Sequence, residues 1–174
     1  RKFRSLRAKE REEERREKVH STLAEQYPDS QDPVSEFSLK TKTENYEKAL
    51  SLDPNNLLVK TNMAMTYVDT PTPMKGIALL REVIEQEPTF VPALFNLGLL
   101  SIKSNQFGKG QERFTQILKL EPNNFKAALN LGFCLAQLDK KEEAQKVLKR
   151  VLEQSKDAQE QKAAKELLAE MQEH

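Results

Sequence analysis

Any catalytic or metal site in this chain would have to be assembled from very few residues. There are two histidines, His20 and His174, and one cysteine, Cys134. Transition-metal sites gather several His, Cys or carboxylate ligands at short spacings. His20 instead lies in a run of Arg and Glu, His174 is the last residue, and neither has a cysteine beside it. Cys134 has no partner at Cys-x-x-Cys spacing, and a lone thiol cannot build an internal disulfide framework. It reads as a small core or groove residue. Gly108-Lys109-Gly110 is not a phosphate loop, because the preceding strand and the flanking Gly and Ser/Thr are missing. The carboxylates are numerous but fall on charged faces, with no acid–base pair or activated nucleophile among them. The expectation is no catalysis, no metal and no cofactor, which leaves recognition through surface.

Composition narrows the kind of surface. Charged residues make up 32% of the chain and hydrophobic residues 37%, yet the net charge is only +1. No global field therefore favours nucleic acid as a partner. No apolar run approaches the ~20 residues needed to span a bilayer. Only five glycines occur, and Val and Ile are sparse, so helices are expected and a sheet is not.

The elements that must position any binding residues are set by a period. Pro54, Pro88 and Pro122 recur every 34 residues, in Leu-Asp-Pro-Asn-Asn, Gln-Glu-Pro-Thr-Phe and Leu-Glu-Pro-Asn-Asn. Other ladders keep the same step: Asn62, Asn96 and Asn130; Met63, Leu97 and Leu131; Ala64, Gly98 and Gly132; Gly76, Gly110 and Ala144; Val83, Ile117 and Val151. Co-registered ladders at one period mark a stacked-repeat architecture. After each proline the pattern predicts a helix, a short polar break and a second helix. The small residues fall where the two helices of a unit cross, since side chains at the contact set the distance between axes. Proline suits the boundary because it cannot supply a mid-helix amide.

The combination of Leu97-Gly98, Gly110, Phe114, Ile117 and Pro122 resembles the tetratricopeptide repeat family. So do Leu131-Gly132, Ala144, Leu148 and Val151, and Met63-Ala64, Tyr67, Gly76, Leu80, Val83 and Pro88. The chain departs from that pattern where the early aromatic is replaced by Lys60, Leu94 and Ala128, and where Lys156 stands in place of a fourth proline. The resemblance implies an all-α fold, a right-handed superhelical stack of helix-turn-helix repeats. It implies full repeats at 57–90, 91–124 and 125–156, an incomplete repeat at 36–56 with its helix over about 36–52, and a C-terminal capping helix within 157–174. Asp157 with Glu160 makes a capping-box-like start for that last helix. Ala163, Ala164, Leu167, Leu168 and Met171 form its inner stripe.

In that family the first helix of each unit lines a concave groove. The resemblance then places Leu58, Thr61, Asn62, Met65 and Val68 there from the first full unit. The second supplies Pro92, Phe95, Asn96, Leu99 and Ile102, and the third Lys126, Leu129, Asn130, Phe133 and Gln137. The peptide-binding residues expected from this set are Asn62, Met65, Phe95, Asn96, Leu99, Lys126, Asn130 and Phe133. The apolar stripe Met65–Phe95–Leu99–Phe133 is expected to exceed what stacking needs, because Leu94, Leu97 and Leu131 already fill the interlocking slots; exposed apolar surface of that extent marks a binding site. Each asparagine can donate and accept at once, either clamping a peptide backbone or bonding neighbouring helices. The family's carboxylate clamp for acidic chaperone tails is matched only by Asn96 and Lys126. Thr61, Met65 and Asn130 stand where Lys, Asn and Arg are needed, so an apolar or amphipathic segment is the expected ligand.

The N-terminal 1–25 is read as one charged helix. Residues 1–20 carry nine Lys/Arg and five Glu, with Glu12–Arg16 and Glu14–Lys18 at i,i+4. Residues 26–35, with Pro28 and Pro33, are read as a loop. The chain starts at Arg1 rather than Met, and the basic residues Arg1, Lys2, Arg4 and Arg7 suit either a solvated helix or a stalk outside a missing membrane anchor. The sequence-level reading is a non-enzymatic scaffold binding a protein or peptide partner, in a bacterial assembly or biogenesis setting, membrane-tethered through an upstream segment. The alternative is a self-associating structural module whose groove is filled by its own N-terminal helix or by another copy.

Overall fold

Each prolyl segment turns the chain between helices, and the helices pack in consecutive pairs. The computed structural model describes residues 36–68, 70 and 72–172. The readings at 1–25 and 26–35, and those for His20 and His174, lie outside the described residues. The chain divides into the units Arg1–Thr41 and Lys42–His174, and the packing given below is that of the second.

Among the described residues there are eight helices and no strands: α1 (Glu36–Leu52), α2 (Leu57–Val68), α3 (Pro73–Gln86), α4 (Val91–Lys103), α5 (Phe107–Leu120), α6 (Phe125–Gln137), α7 (Lys141–Gln154) and α8 (Ala158–Glu170). The chief packing is α2 on α3, α4 on α5, α5 on α6 and α6 on α7, with α8 against α6 and α7. The first helices of the pairs also run side by side, α2 beside α4 and α4 beside α6. This is an all-helical repeat solenoid.

The small-residue ladders sit at the helix crossings. A β-carbon on Gly76 would come within 2.3 Å of the Ala64 carbonyl oxygen, one on Gly98 within 2.6 Å of the Phe114 ring, and one on Gly132 within 2.6 Å of Leu148. Gly110 faces the Cys134 sulfur at 2.8 Å from the same construction. Gly108, by contrast, meets nothing within 4 Å and lies in the first turn of α5 rather than in a connecting turn. Around these contacts Leu80, Val83, Leu94, Phe114, Ile117, Leu148 and Val151 are fully buried.

The turns explain the polar residues of the period. Asn56 and Asn124 cap the helices that follow them: their Oδ1 atoms accept from the amides of Val59 and Ala127, both at 3.0 Å. Their Nδ2 atoms reach back to Asp53 at 3.1 Å and Glu121 at 2.8 Å. The middle turn has Phe90 at that register and cannot cap this way. There Glu87 takes the Thr89 hydroxyl and, at 3.2 Å, the Thr89 amide, which hold its carboxyl below the usual range.

Within two pairs, helix meets helix through a residue in the left-handed region, Asn105 at φ 56° and Asp139 at φ 58°. The amides of Gln106 and Lys140 then return to the carbonyls of Ser101 (2.7 Å) and Leu135 (2.9 Å), closing a Schellman-type end. The first pair carries Pro71 at that register, and a proline ring cannot take positive φ. The Thr70 hydroxyl instead donates to the Tyr67 carbonyl at 2.6 Å and accepts from the Thr72 amide at 3.1 Å, with Pro73 opening α3.

Where a fourth proline is absent, three polar side chains make the break. Asp157 caps α8, accepting from the amides of Gln159 (2.7 Å) and Glu160 (3.2 Å). Its own amide donates to Ser155 Oγ at 3.1 Å, and Ser155 Oγ donates to Glu160 Oε2 at 2.5 Å. The capping box is thus relayed through a buried serine rather than closed directly. The inner stripe of α8 is as expected, with Ala164 buried and Leu167, Leu168 and Met171 packed beside it.

Candidate protein-binding surface

The side of the solenoid formed by α2, α4 and α6 collects the expected binding residues, because the 34-residue period brings the same helical position to the same side on each. Met63, Leu97 and Leu131 point inward and are buried. Two residues later, Met65 and Phe133 are half-buried and Leu99 is exposed. One residue before the buried ladder, Asn62 is exposed and Asn96 and Asn130 are half-buried. Lys126 and Leu58 are exposed at the start of their helices.

Two of the wider groove residues do not belong to this surface. Thr61 is buried, its hydroxyl donating to the Leu57 carbonyl at 2.8 Å, and Val68 is buried as well. Both sit in the first full unit, where no bulky side chain covers the same position: Thr61 occupies the register of Phe95.

The aromatics are more committed to packing than the period suggested. Phe95 meets Phe114 edge-on, with ring centroids 5.6 Å apart and planes at 78°. Phe133 meets Phe107 in the same manner at 6.0 Å and 72°. Edge-to-face pairs of this kind stabilise by ~0.5–1.5 kcal/mol beyond burial. Both rings are half-buried and in part committed to the stack. Leu99 is 37% exposed and is the member of the stripe least occupied by packing. In the asparagine ladder, Asn130 Nδ2 donates to the Lys126 carbonyl of its own helix at 2.8 Å. That leaves its Oδ1 as an outward acceptor.

Charge is segregated. Helices α2, α4 and α6 contain no Asp or Glu, and their charged residues are Lys60, Lys103 and Lys126. Lys60 is drawn to the second helix of its pair, with Nζ 2.7 Å from Glu82, and its side chain is only 11% exposed. Among the described residues the other charged residues, of both signs, lie on the remaining helices and in the turns. The first-helix side is consequently apolar and amide-lined, with Lys126 the exposed cation among the residues expected to bind.

Cys134 is a core residue, packed with Leu94, Phe114 and Ile117. Burial pushes its thiol up to about 11, so it stays protonated at neutral pH. Among the described residues no group of three or more His, Cys, Asp or Glu could hold a metal, and no helix is long and apolar enough to cross a membrane. A depression of about 490 Å³ lies between Asn123, Phe125 and the Ser155–Glu160 break.

Sequence reasoning missed the side chains that tie successive units together. Gln116 Nε2 donates to the Pro88 carbonyl at 3.0 Å, and the Arg150 guanidinium donates to the Pro122 carbonyl. Donor and acceptor are 28 residues apart in both cases. The two donors are themselves one period apart. Glu82, Gln116 and Arg150 share one register but are three residue types, so no ladder of like residues marked them.

The profile of the tetratricopeptide repeat family matches residues 101–170. Among curated proteins, Hsp70-Hsp90 organizing protein 3 of Arabidopsis thaliana is 24% identical over 129 residues, covering 74% of this chain and 21% of that protein. Hsp70-Hsp90 organizing protein 1 of Glycine max is 24% identical over 98 residues, covering 56% of this chain and 17% of that protein. The chain spans about a fifth of the length of these relatives. Among solved structures, a tetratricopeptide repeat protein from Parabacteroides merdae superposes with a TM-score of 0.67 at 16% identity, over 90% of this chain and 61% of that one. A crystal structure of MamA gives 0.59 at 16% identity, over 78% of this chain and 88% of that one. At such identity the two establish likeness of fold.

Proposed function

We infer that this chain, a member of the tetratricopeptide repeat family, is a non-enzymatic scaffold that binds an apolar or amphipathic segment of a partner protein along α2, α4 and α6. The observation that carries this reading is Leu99, an exposed leucine set between Met65 and Phe133 at one register on three adjacent helices. A long apolar side chain left outward at a position repeated by the fold supports a contact outside the chain. Phe95 and Phe133, both half-buried, widen that strip. Asn62, Asn96 and Asn130 border it with groups able to bond a peptide backbone, and Lys126 ends it with a cation.

The organizing proteins to which the chain is similar are named for two chaperones. An acidic chaperone tail is not the partner this surface suits. Thr61 is buried, Met65 is apolar and Asn130 is uncharged, so two of the cations such a tail needs are absent and Lys126 alone remains. An apolar segment requires none of them.

A photo-crosslinking residue placed at position 99 tests the reading in the protein's own cell, with position 165 on the exposed side of α8 as the control. The expected product is a heteromeric adduct from 99 and none from 165. An adduct of twice the chain's own mass would support the self-associating module instead. Equal yields from both positions would sink the groove as a site.

A further inference from the structure

We propose that the prolyl turn Asp53–Asn56 is a hinge, the one of the three prolyl joints that lacks a side-chain tie among the described residues. The three turns are alike in themselves. The amides of Asp53, Glu87 and Glu121 donate to the carbonyls of Ala49, Val83 and Ile117 at 3.0, 2.8 and 2.7 Å. The amides of Asn56, Phe90 and Asn124 then return to Asp53, Glu87 and Glu121 at 3.2, 3.1 and 3.0 Å. The difference lies across the joint.

At the second and third turns a donor from the next unit closes on the proline carbonyl, Gln116 on Pro88 and Arg150 on Pro122. The same register in the first full unit is Glu82. A carboxylate is an acceptor only, so it cannot bond the Pro54 carbonyl. Glu82 is turned into its own helix pair, where it accepts from Lys60 at 2.7 Å and from Gln86 at 3.2 Å.

The helix before this joint is correspondingly loose in its packing. Leu52 and Leu120 are the same residue at the same register, two periods apart, yet Leu52 is 88% exposed and Leu120 42%. None of the described side chains of α1 is buried, whereas every later helix has at least one that is. The Lys42–Leu52 part of α1 can therefore tilt about Pro54 while α2–α8 hold their register. Such a device would move the end of α1 relative to the start of the binding surface, at Leu58 and Asn62, without disturbing the stack.

Hydrogen–deuterium exchange on the full chain tests this at three equivalent amides, Asp53, Glu87 and Glu121, after correction for intrinsic rates. Asp53 is expected to exchange about five- to tenfold faster than the other two, the factor that one net hydrogen bond carries. Glu82→Gln, which copies Gln116, or Glu82→Arg, which copies Arg150, should slow Asp53 toward its equivalents. Gln116→Glu should speed Glu87 by about fivefold, with circular dichroism confirming that the helices persist. Equal exchange at the three amides in the native chain would overturn the hinge. So would an Asp53 rate unchanged in both Glu82 variants, or a Glu87 rate unchanged in Gln116→Glu.

Discussion

Gly98 and Phe114 are in van der Waals contact across the α4–α5 crossing, with the ring so near that a β-carbon on Gly98 would lie 2.6 Å from its Cζ. Phe114 is fully buried and already meets Phe95 on its edge. It has no free direction in which to yield.

The glycines should therefore rank by what faces them. Gly108→Ala meets open space and should raise stability by up to ~1 kcal/mol through helix propensity. Gly98→Ala gains the same propensity but overpacks the ring, and a net loss of ~1–2 kcal/mol is expected. Gly76→Ala should cost more, because it meets the Ala64 backbone oxygen at 2.3 Å and a helix backbone cannot step aside. Urea denaturation of the three variants checks the order.

The end of the stack depends on the relay between Ser155, Asp157 and Glu160. Asp157→Ala removes the cap of α8 and should cost ~1 kcal/mol. Ser155→Ala leaves both the Asp157 amide and the Glu160 carboxylate without their shared partner, at ~1–2 kcal/mol. Combining the two should give less than the sum, since they act on one network. A double-mutant cycle in thermal or urea unfolding measures the shortfall.

Cys134 couples the core to pH in a defined direction. Its folded value, about 11, lies above the ordinary thiol value of 9.0. The unfolded chain therefore loses that proton first as pH rises. The neutral thiol's contribution is fully present below pH ~9 and is lost between ~9 and ~11. The drop in unfolding free energy over that window should be smaller in Cys134→Ala than in the native chain. At neutral pH the native thiol should resist iodoacetamide and become reactive only in denaturant.

The binding surface is best probed at Leu99. Leu99→Ser removes an exposed leucine and should change stability by less than ~0.5 kcal/mol while reducing crosslinked adduct from position 65. Phe95→Ala combined with Phe133→Ala should also reduce binding, but it breaks both edge-to-face pairs and should lower the melting temperature as well. Comparing adduct yield with melting temperature separates the two effects.

Much of the fold was legible in the sequence because the period repeats both the prolines and the small residues. The spacing of Gly76, Gly98, Gly110 and Gly132 fixes where helices cross, and crossing geometry depends on those residues alone. The start of α8 was readable from Asp157 and Glu160 at capping-box spacing, and its inner stripe from helical spacing. The binding surface was less so. Thr61 and Val68 sit at outward registers, yet they are buried. The pairing of Phe95 with Phe114 and of Phe133 with Phe107 depends on ring orientation, which a periodic pattern does not carry. Gln116 and Arg150 escaped notice because they differ in type while doing the same thing.

Because α4 through α8 pack chiefly on their sequence neighbours, nearly all the order of these helices is won over short loops. Little closure entropy stands before each contact, which favours rapid folding that can begin at more than one pair. Loss of structure should spread inward from an end, one pair at a time, with the Phe114 layer among the last to open.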